Sequence, residues 1–324
     1  MSRKIKIGII GAGKRANFQA ESIIESGIGE PIIVYSPFEE EVKSFSEKYK
    51  IKYTTSLKDI LNNPEIEGII ISTPNATHYE IAKKGLENNK NVLVEYPPTL
   101  KIEQLDELIN LARERKLVYW VSLTQLLENP HYTIKKNLNF LERPLFYYFS
   151  YITSSLSGWY SQMSLSGSVY LWQHFHYVSQ LLDLFKDPEE ISAFENIEYC
   201  SEGVISSTFS VMNIKFSSGL ISTIEFGMGI KDVSDVKIKL LGDGGYFYYD
   251  KGKLYFINKK EGKREIEMEK INIRIDTFNF LREVSKGDFN VEKAIEARKI
   301  LEICLCAEIS AREKRIVKVK DFKV

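Results

Sequence analysis

Residues 4–16 read Lys4-Ile5-Lys6-Ile7-Gly8-Ile9-Ile10-Gly11-Ala12-Gly13-Lys14-Arg15-Ala16, an alternating apolar run that turns through G-x-G-x-x-A. The run predicts a strand over Lys4–Ile10. The amphipathic stretch Phe18–Ser26 predicts a helix behind the turn, and Pro31–Ser36 a second strand. In that context each small residue has a task. Gly11 permits the tight strand-to-helix turn, Gly13 lets backbone N–H groups approach a pyrophosphate, and Ala16 lets the helix lie close on the strand. The helix start adds unpaired N–H donors and partial positive charge. Residues 11–16 therefore predict a dinucleotide site.

Outward from this start, strand and helix signals alternate. Further strands are expected at Glu67–Ser72, Asn91–Val94 and Leu117–Ser122, with helices at Glu39–Tyr49, Leu57–Leu61, Thr77–Asn88 and Ile102–Arg115. That alternation predicts a doubly wound parallel sheet ending near residue 122. From Leu145 the texture changes. Strand-like segments follow with no helix signal between them, at Leu145–Ser154, Ser206–Phe216, Leu220–Phe226, Val236–Leu241, Gly245–Tyr249 and Lys253–Ile257. They predict a large, open, mostly antiparallel sheet in an α+β domain. A last amphipathic helix is expected at Val291–Ala311. The expected division is residues 1–122 for the dinucleotide and 123–324 for substrate binding and oligomerisation.

Lys+Arg and Asp+Glu are both 44, so the net charge of zero favours neither nucleic acid nor an anionic membrane as partner. The longest apolar runs are strand-sized and the N-terminus enters a strand directly, which predicts a cytoplasmic protein. Cys200, Cys304 and Cys306 suit core thiols better than a disulfide framework or a zinc site. His174 and His176 have no third ligand nearby, so no metal site is expected.

Ligands of a doubly wound sheet sit past the carboxyl ends of its strands. Two loops there are informative: Ser72-Thr73-Pro74-Asn75-Ala76-Thr77-His78 and Val94-Glu95-Tyr96-Pro97-Pro98. With the fingerprint they make the chain resemble the Gfo/Idh/MocA oxidoreductases, whose T-P-x-x-x-H and E-K-P motifs stand here as Thr73–His78 and Glu95-Tyr96-Pro97. Gly158-Trp159, Ser166-Gly167, His176, Leu241–Gly245 and Ala307–Val317 extend the resemblance in order along the chain. The resemblance implies a Rossmann domain, a second α/β domain whose sheet forms a homodimer or homotetramer, and hydride transfer between nicotinamide and a small substrate. It further implies that Thr73, Pro74, Asn75, Glu95 and Pro97 line the cofactor and that His78 fixes the loop beneath it.

Two departures matter. Tyr96 stands where sugar and inositol dehydrogenases of this family carry their proton-relay lysine. Trp172 and Ser179 stand where carboxylates flank the histidine, here His176. A tyrosine of ordinary pKa, about 10, donates a proton or hydrogen bond but is a poor base near neutrality. The E-Y-P loop resembles that of biliverdin reductases, and Tyr119-Trp120-Val121-Ser122 is similar to a segment of thiazolinyl imine reductases. The expectation is a reductase of a conjugated C=C or C=N bond, with Tyr96 and His176 as catalytic candidates. A sugar or inositol-type dehydrogenase and a non-catalytic dinucleotide sensor are the alternatives. Trp159, Tyr160, Trp172 and Tyr177 are the substrate-binding candidates, because their rings suit a flat molecule or a sugar's apolar face. The second strand ends at Ser36 in place of an acidic residue. Ser36, with Lys14 or Arg15 able to reach a 2′-phosphate, favours NADP over NAD.

Overall fold

The N-terminal apolar run forms β1 (Ile5–Ile10) in a computed structural model that describes residues 3–322. Along the chain follow α1 (Lys14–Ser26), β2 (Gly29–Tyr35), α2 (Glu39–Tyr49), β3 (Lys52–Thr54), α3 (Leu57–Leu61), β4 (Gly68–Ile71), α4 (His78–Glu87), β5 (Asn91–Val94), α5 (Ile102–Arg115) and β6 (Tyr119–Val121). Next come α6 (Asn129–Lys136), β7 (Pro144–Thr153), α7 (Met163–Ser166), α8 (Phe175–Leu184), β8 (Pro188–Ser201), β9 (Val204–Phe216) and β10 (Ile221–Met228). The chain finishes with β11 (Asp235–Gly242), β12 (Gly245–Asp250), β13 (Lys253–Asn258), β14 (Gly262–Ile266), α9 (Ile275–Lys286), α10 (Glu292–Glu313) and β15 (Val317–Lys318).

Strands β1 to β6 pair in parallel in the order β3-β2-β1-β4-β5-β6, the predicted doubly wound sheet. Its central strands are apolar on both faces: Ile7, Ile9, Ile69, Ile70, Ile71, Val92 and Leu93 are fully buried, as expected when helices cover both sides. Helix α1 begins at Lys14, ahead of the predicted Phe18, because Gly13 already sits at its N-cap. Strand β3 escaped prediction because Lys52-Tyr53-Thr54 is a short edge with two exposed residues.

The other sheet runs β14-β13-β12-β11-β7-β10-β9-β8-β15. It is antiparallel apart from the β7–β10 pair, in line with the expected mostly antiparallel sheet. The six predicted strands of this region appear as β7 and β9 to β13. Strand β8 was missed because Pro188-Glu189-Glu190 opens it, and only Ile191 and Ala193 of its fourteen residues are buried hydrophobics.

By contacts the chain forms two compact units. One holds the chain through Thr124 together with Asn272–Arg298; the other holds Gln125–Ile271 and the chain from Lys299 onward. The sequence reading assigned all of 123–324 to the second. The returning segment carries α9, whose Phe280 and Leu281 join Ile5, Ile7, Ile23 and Leu93 in the first core. Cys304 and Cys306 are buried as expected; Cys200 is exposed, correcting the core assignment, because it lies near the end of β8 where the strand leaves the packed face.

Candidate functional site

In the first unit the fingerprint does what its residue types require. Gly11 has φ +107°, and a Cβ there would lie 2.4 Å from the Ser72 carbonyl oxygen, so β1 and the loop after β4 can approach this closely only with glycine. Around Gly13 a Cβ would meet nothing within 4 Å. Helix α1 starts there without a side-chain cap and with no acidic residue in its first turn. An open glycine before an uncapped helix start fits a pyrophosphate. Ala16 is fully buried against the sheet.

The two loops past β4 and β5 are tied together by His78, which is fully buried. Its Nδ1 lies 2.8 Å from the Pro97 carbonyl oxygen and its Nε2 2.9 Å from that of Thr73. Burial pushes the imidazole below its ordinary pKa, opposed by these two carbonyls and by Glu95. Thr77 Oγ1 donates to the Pro74 carbonyl at 2.7 Å and pairs with Thr73 Oγ1 at 2.7 Å, closing the Thr73–Thr77 turn; Asn75 is buried within it.

Glu95 anchors the Tyr96–Pro97 segment from the other side. Its Oε1 accepts from Arg15 Nε at 2.6 Å and from Gln19 Nε2 at 2.5 Å, both on α1. Arg15 Nη2 also donates to Ser122 and Thr124 hydroxyls, each at 3.2 Å. Arg15, expected with Lys14 to be able to reach a 2′-phosphate, thus has its guanidinium bonded to Glu95, Ser122 and Thr124. Glu95, likewise expected to line the cofactor, is buried and engaged with α1. Lys14 stays exposed. Ser36 is buried, donating from Oγ to Glu41 Oε2 at 3.1 Å and accepting from the Phe38 N–H.

Sequence reasoning missed Asp276 and Thr277 of α9. Thr277 Oγ1 donates to Gln19 at 2.6 Å, and Trp120 Nε1 donates to Asp276 at 3.1 Å. Burial raises the Asp276 carboxyl to about 6, offset in part by Trp120 and Ser122. No local motif marks these residues, since their partners lie 258 and 156 residues away.

The second unit gathers rings. Trp159 and Tyr160 stack at 3.8 Å between centroids, and Tyr160 lies 5.2 Å from Trp172, which is buried on the π-helical turn Tyr170–His174. Tyr177, expected in a substrate site, is stacked at 3.7 Å on Phe149 of β7 and so packs α8 on its sheet. His176 is half-buried on α8, and Ser179, in the place of a carboxylate, donates to its backbone carbonyl. His174 is a core histidine: Nε2 pairs with Ser210 at 2.8 Å and burial lowers its pKa to about 3.

This combination of parallel sheet, glycine fingerprint and linked loops at the strand ends defines a dinucleotide-binding Rossmann unit of the oxidoreductase type. Residues 5–123 match the Gfo/Idh/MocA model described as Oxidoreductase family, NAD-binding Rossmann fold. An uncharacterized oxidoreductase of Escherichia coli K12, YdgJ, is 31% identical over 135 residues, 42% of this chain and 39% of that protein. The scyllo-inositol 2-dehydrogenase (NAD(+)) of Bacillus subtilis 168 is 23% identical over 45% of this chain and 44% of its own. The chain is thus matched to well under two thirds of the length of these relatives. Biliverdin reductase of Synechocystis sp. PCC 6803, solved with biliverdin and NADP+, shares the fold at a TM-score of 0.85 and 22% identity, over 93% of this chain and 98% of that one. Among the described residues no helix is long and apolar enough to cross a membrane.

Proposed function

We propose that the protein is a nicotinamide-dinucleotide-dependent oxidoreductase that reduces a conjugated C=C or C=N bond of a small, flat molecule. The observation that carries this is the double anchoring of Glu95-Tyr96-Pro97, by Arg15 and Gln19 on one side and by His78 on the other. Such anchoring gives Tyr96 a fixed backbone at the carboxyl end of β5, where a Rossmann site holds its ligand. The bound dinucleotide supplies the hydride. Gly11, Gly13 and the start of α1 would hold its pyrophosphate, and Thr73, Pro74 and Asn75 its nicotinamide half.

Tyr96 takes the role of proton or hydrogen-bond donor, which a reduction placing charge on the substrate's own nitrogens can use without a lysine base. The Trp159–Tyr160–Trp172 stack favours a planar substrate, with His176 as the second candidate in that unit. The outer sheet face, with Phe194 and Ile221 exposed, supports a homo-oligomer built through the second unit.

The test is turnover. Mixing the protein with NADH or NADPH and panels of imines, bilins and carbonyls, while following nicotinamide absorbance, should reveal oxidation with a conjugated substrate. Efficient oxidation of polyols or inositols by NAD(P)+, with Tyr96 intact, would replace this reading by a sugar dehydrogenase. Tight dinucleotide binding with no turnover in any panel would point to a sensor.

A further inference from the structure

We infer that Glu41, held by Ser36 at the carboxyl end of β2, selects the adenosine end of the dinucleotide and gives the protein a preference for NAD(H) over NADP(H), with Phe38 as the surface on which adenine stacks. The inference rests on the dinucleotide reading of the first unit and deepens it.

In a doubly wound sheet the adenosine ribose lies off the end of the second strand, here Tyr35. The next residue, Ser36, has a buried hydroxyl that accepts from the Phe38 N–H at 3.3 Å and donates to Glu41 Oε2 at 3.1 Å. Through the Ser36 bond a carboxylate in the first turn of α2 is tied to the residue that follows the strand. Glu41 remains exposed, so its carboxylate is accessible to accept from a ribose 2′-hydroxyl. A 2′-phosphate would instead bring close to two negative charges beside it.

Three of the neighbouring cations already have partners. Arg15 is turned inward to Glu95, Lys43 pairs with Glu39 at 2.8 Å, and Lys48 is spent on Asn17 and Glu21. Lys14 is the exposed cation left in the fingerprint. Phe38 adds a contact without selectivity: two residues past Ser36 it is 64% exposed, a large apolar ring offered to solvent on which a purine can stack. The charge of Glu41 discriminates between the two dinucleotides, whereas stacking on Phe38 serves both.

Calorimetric titration of the full chain with NADH and NADPH tests this in wild type, Glu41→Gln and Phe38→Ala, each checked for an unchanged melting temperature. Wild type should bind NADH about tenfold tighter or more. Glu41→Gln keeps an acceptor for Ser36 while removing the charge, and should shift the NADH/NADPH ratio about tenfold toward NADPH. Phe38→Ala should weaken both by a similar factor and leave the ratio alone. Tighter NADPH binding by wild type, or a ratio unmoved by Glu41→Gln, overturns the inference while the dinucleotide reading stands. Failure of wild type to bind either dinucleotide overturns both.

Discussion

The two units hold their candidate side chains by different forces. Around Glu95 the first unit uses directed, charge-assisted hydrogen bonds among Arg15, Gln19, Ser122 and Thr124, with His78 clamping the neighbouring loop. Around Trp159 the second unit relies on ring stacking. Directed bonds fix atoms to fractions of an ångström and suit a cofactor whose position must not vary. Stacked rings tolerate changes of shape and suit substrates that differ between relatives. The contrast predicts rigid dinucleotide recognition beside adaptable substrate recognition.

The largest effect separates the two fingerprint glycines. Gly13→Val places branches in open space and should fold normally yet lose dinucleotide binding altogether, as titration would show. Gly11→Ala puts a Cβ against the Ser72 carbonyl at positive φ and should instead lower stability by about 2–4 kcal/mol in denaturant melts. A stable Gly13→Val protein that still binds would break the first half of the comparison.

Next comes Tyr96→Phe, which should lower kcat by about 10²–10⁴ with little change in dinucleotide affinity. Near-wild-type turnover would mean that the ring only shapes the site. Arg15→Leu strands the Glu95 carboxylate in a buried position and should cost about 2–4 kcal/mol of stability; the double variant Arg15→Leu/Glu95→Leu should recover part of it.

Asp276 gives a pH signature confined to the first unit. Its folded pKa, about 6, lies above the ordinary value of 3.8, so the folded state binds the proton more tightly than the unfolded chain. Its contribution to stability is complete below about pH 4 and is lost as pH rises through 6. Asp276→Asn should remove that slope, raising stability above pH 6 by about 1–3 kcal/mol relative to wild type. The smallest effect is on the aromatic side: Trp159→Ala should raise KM for a flat substrate about 2–10-fold and leave dinucleotide affinity unchanged.

The same contrast explains what could be read from the chain. Gly11, Gly13, Ala16 and the loops at Thr73–His78 and Glu95–Pro97 were visible because backbone geometry demands particular residue types close together in sequence. The Arg15–Glu95 pair was not, because nothing local in Lys14-Arg15 tells an inward guanidinium from a phosphate clamp. The tie from Ser36 to Glu41 leaves no motif either, because it joins the end of β2 to the first turn of α2 across the turn between them. Helix α9 was hidden by its own chemistry: it buries Asp276 and Thr277 beside Phe280 and Leu281, so polar residues interrupt the apolar stripe that periodicity seeks. Tyr177 shows the converse, an aromatic in a suggestive stretch whose half-buried ring is stacked on Phe149 of β7.

The return of Asn272–Arg298 to the first unit also sets an order of events during synthesis. A ribosome delivers β1 to β6 first, but Gln19 and Trp120 gain their partners on α9, and Tyr119 the Asn290 carbonyl, only after every strand from β7 to β14 has emerged. The nascent Rossmann sheet therefore spends the making of roughly half the chain with the place of Phe280 and Leu281 unfilled, and a fragment ending at Thr124 should be the aggregation-prone one, for a chaperone to hold until the last helices arrive.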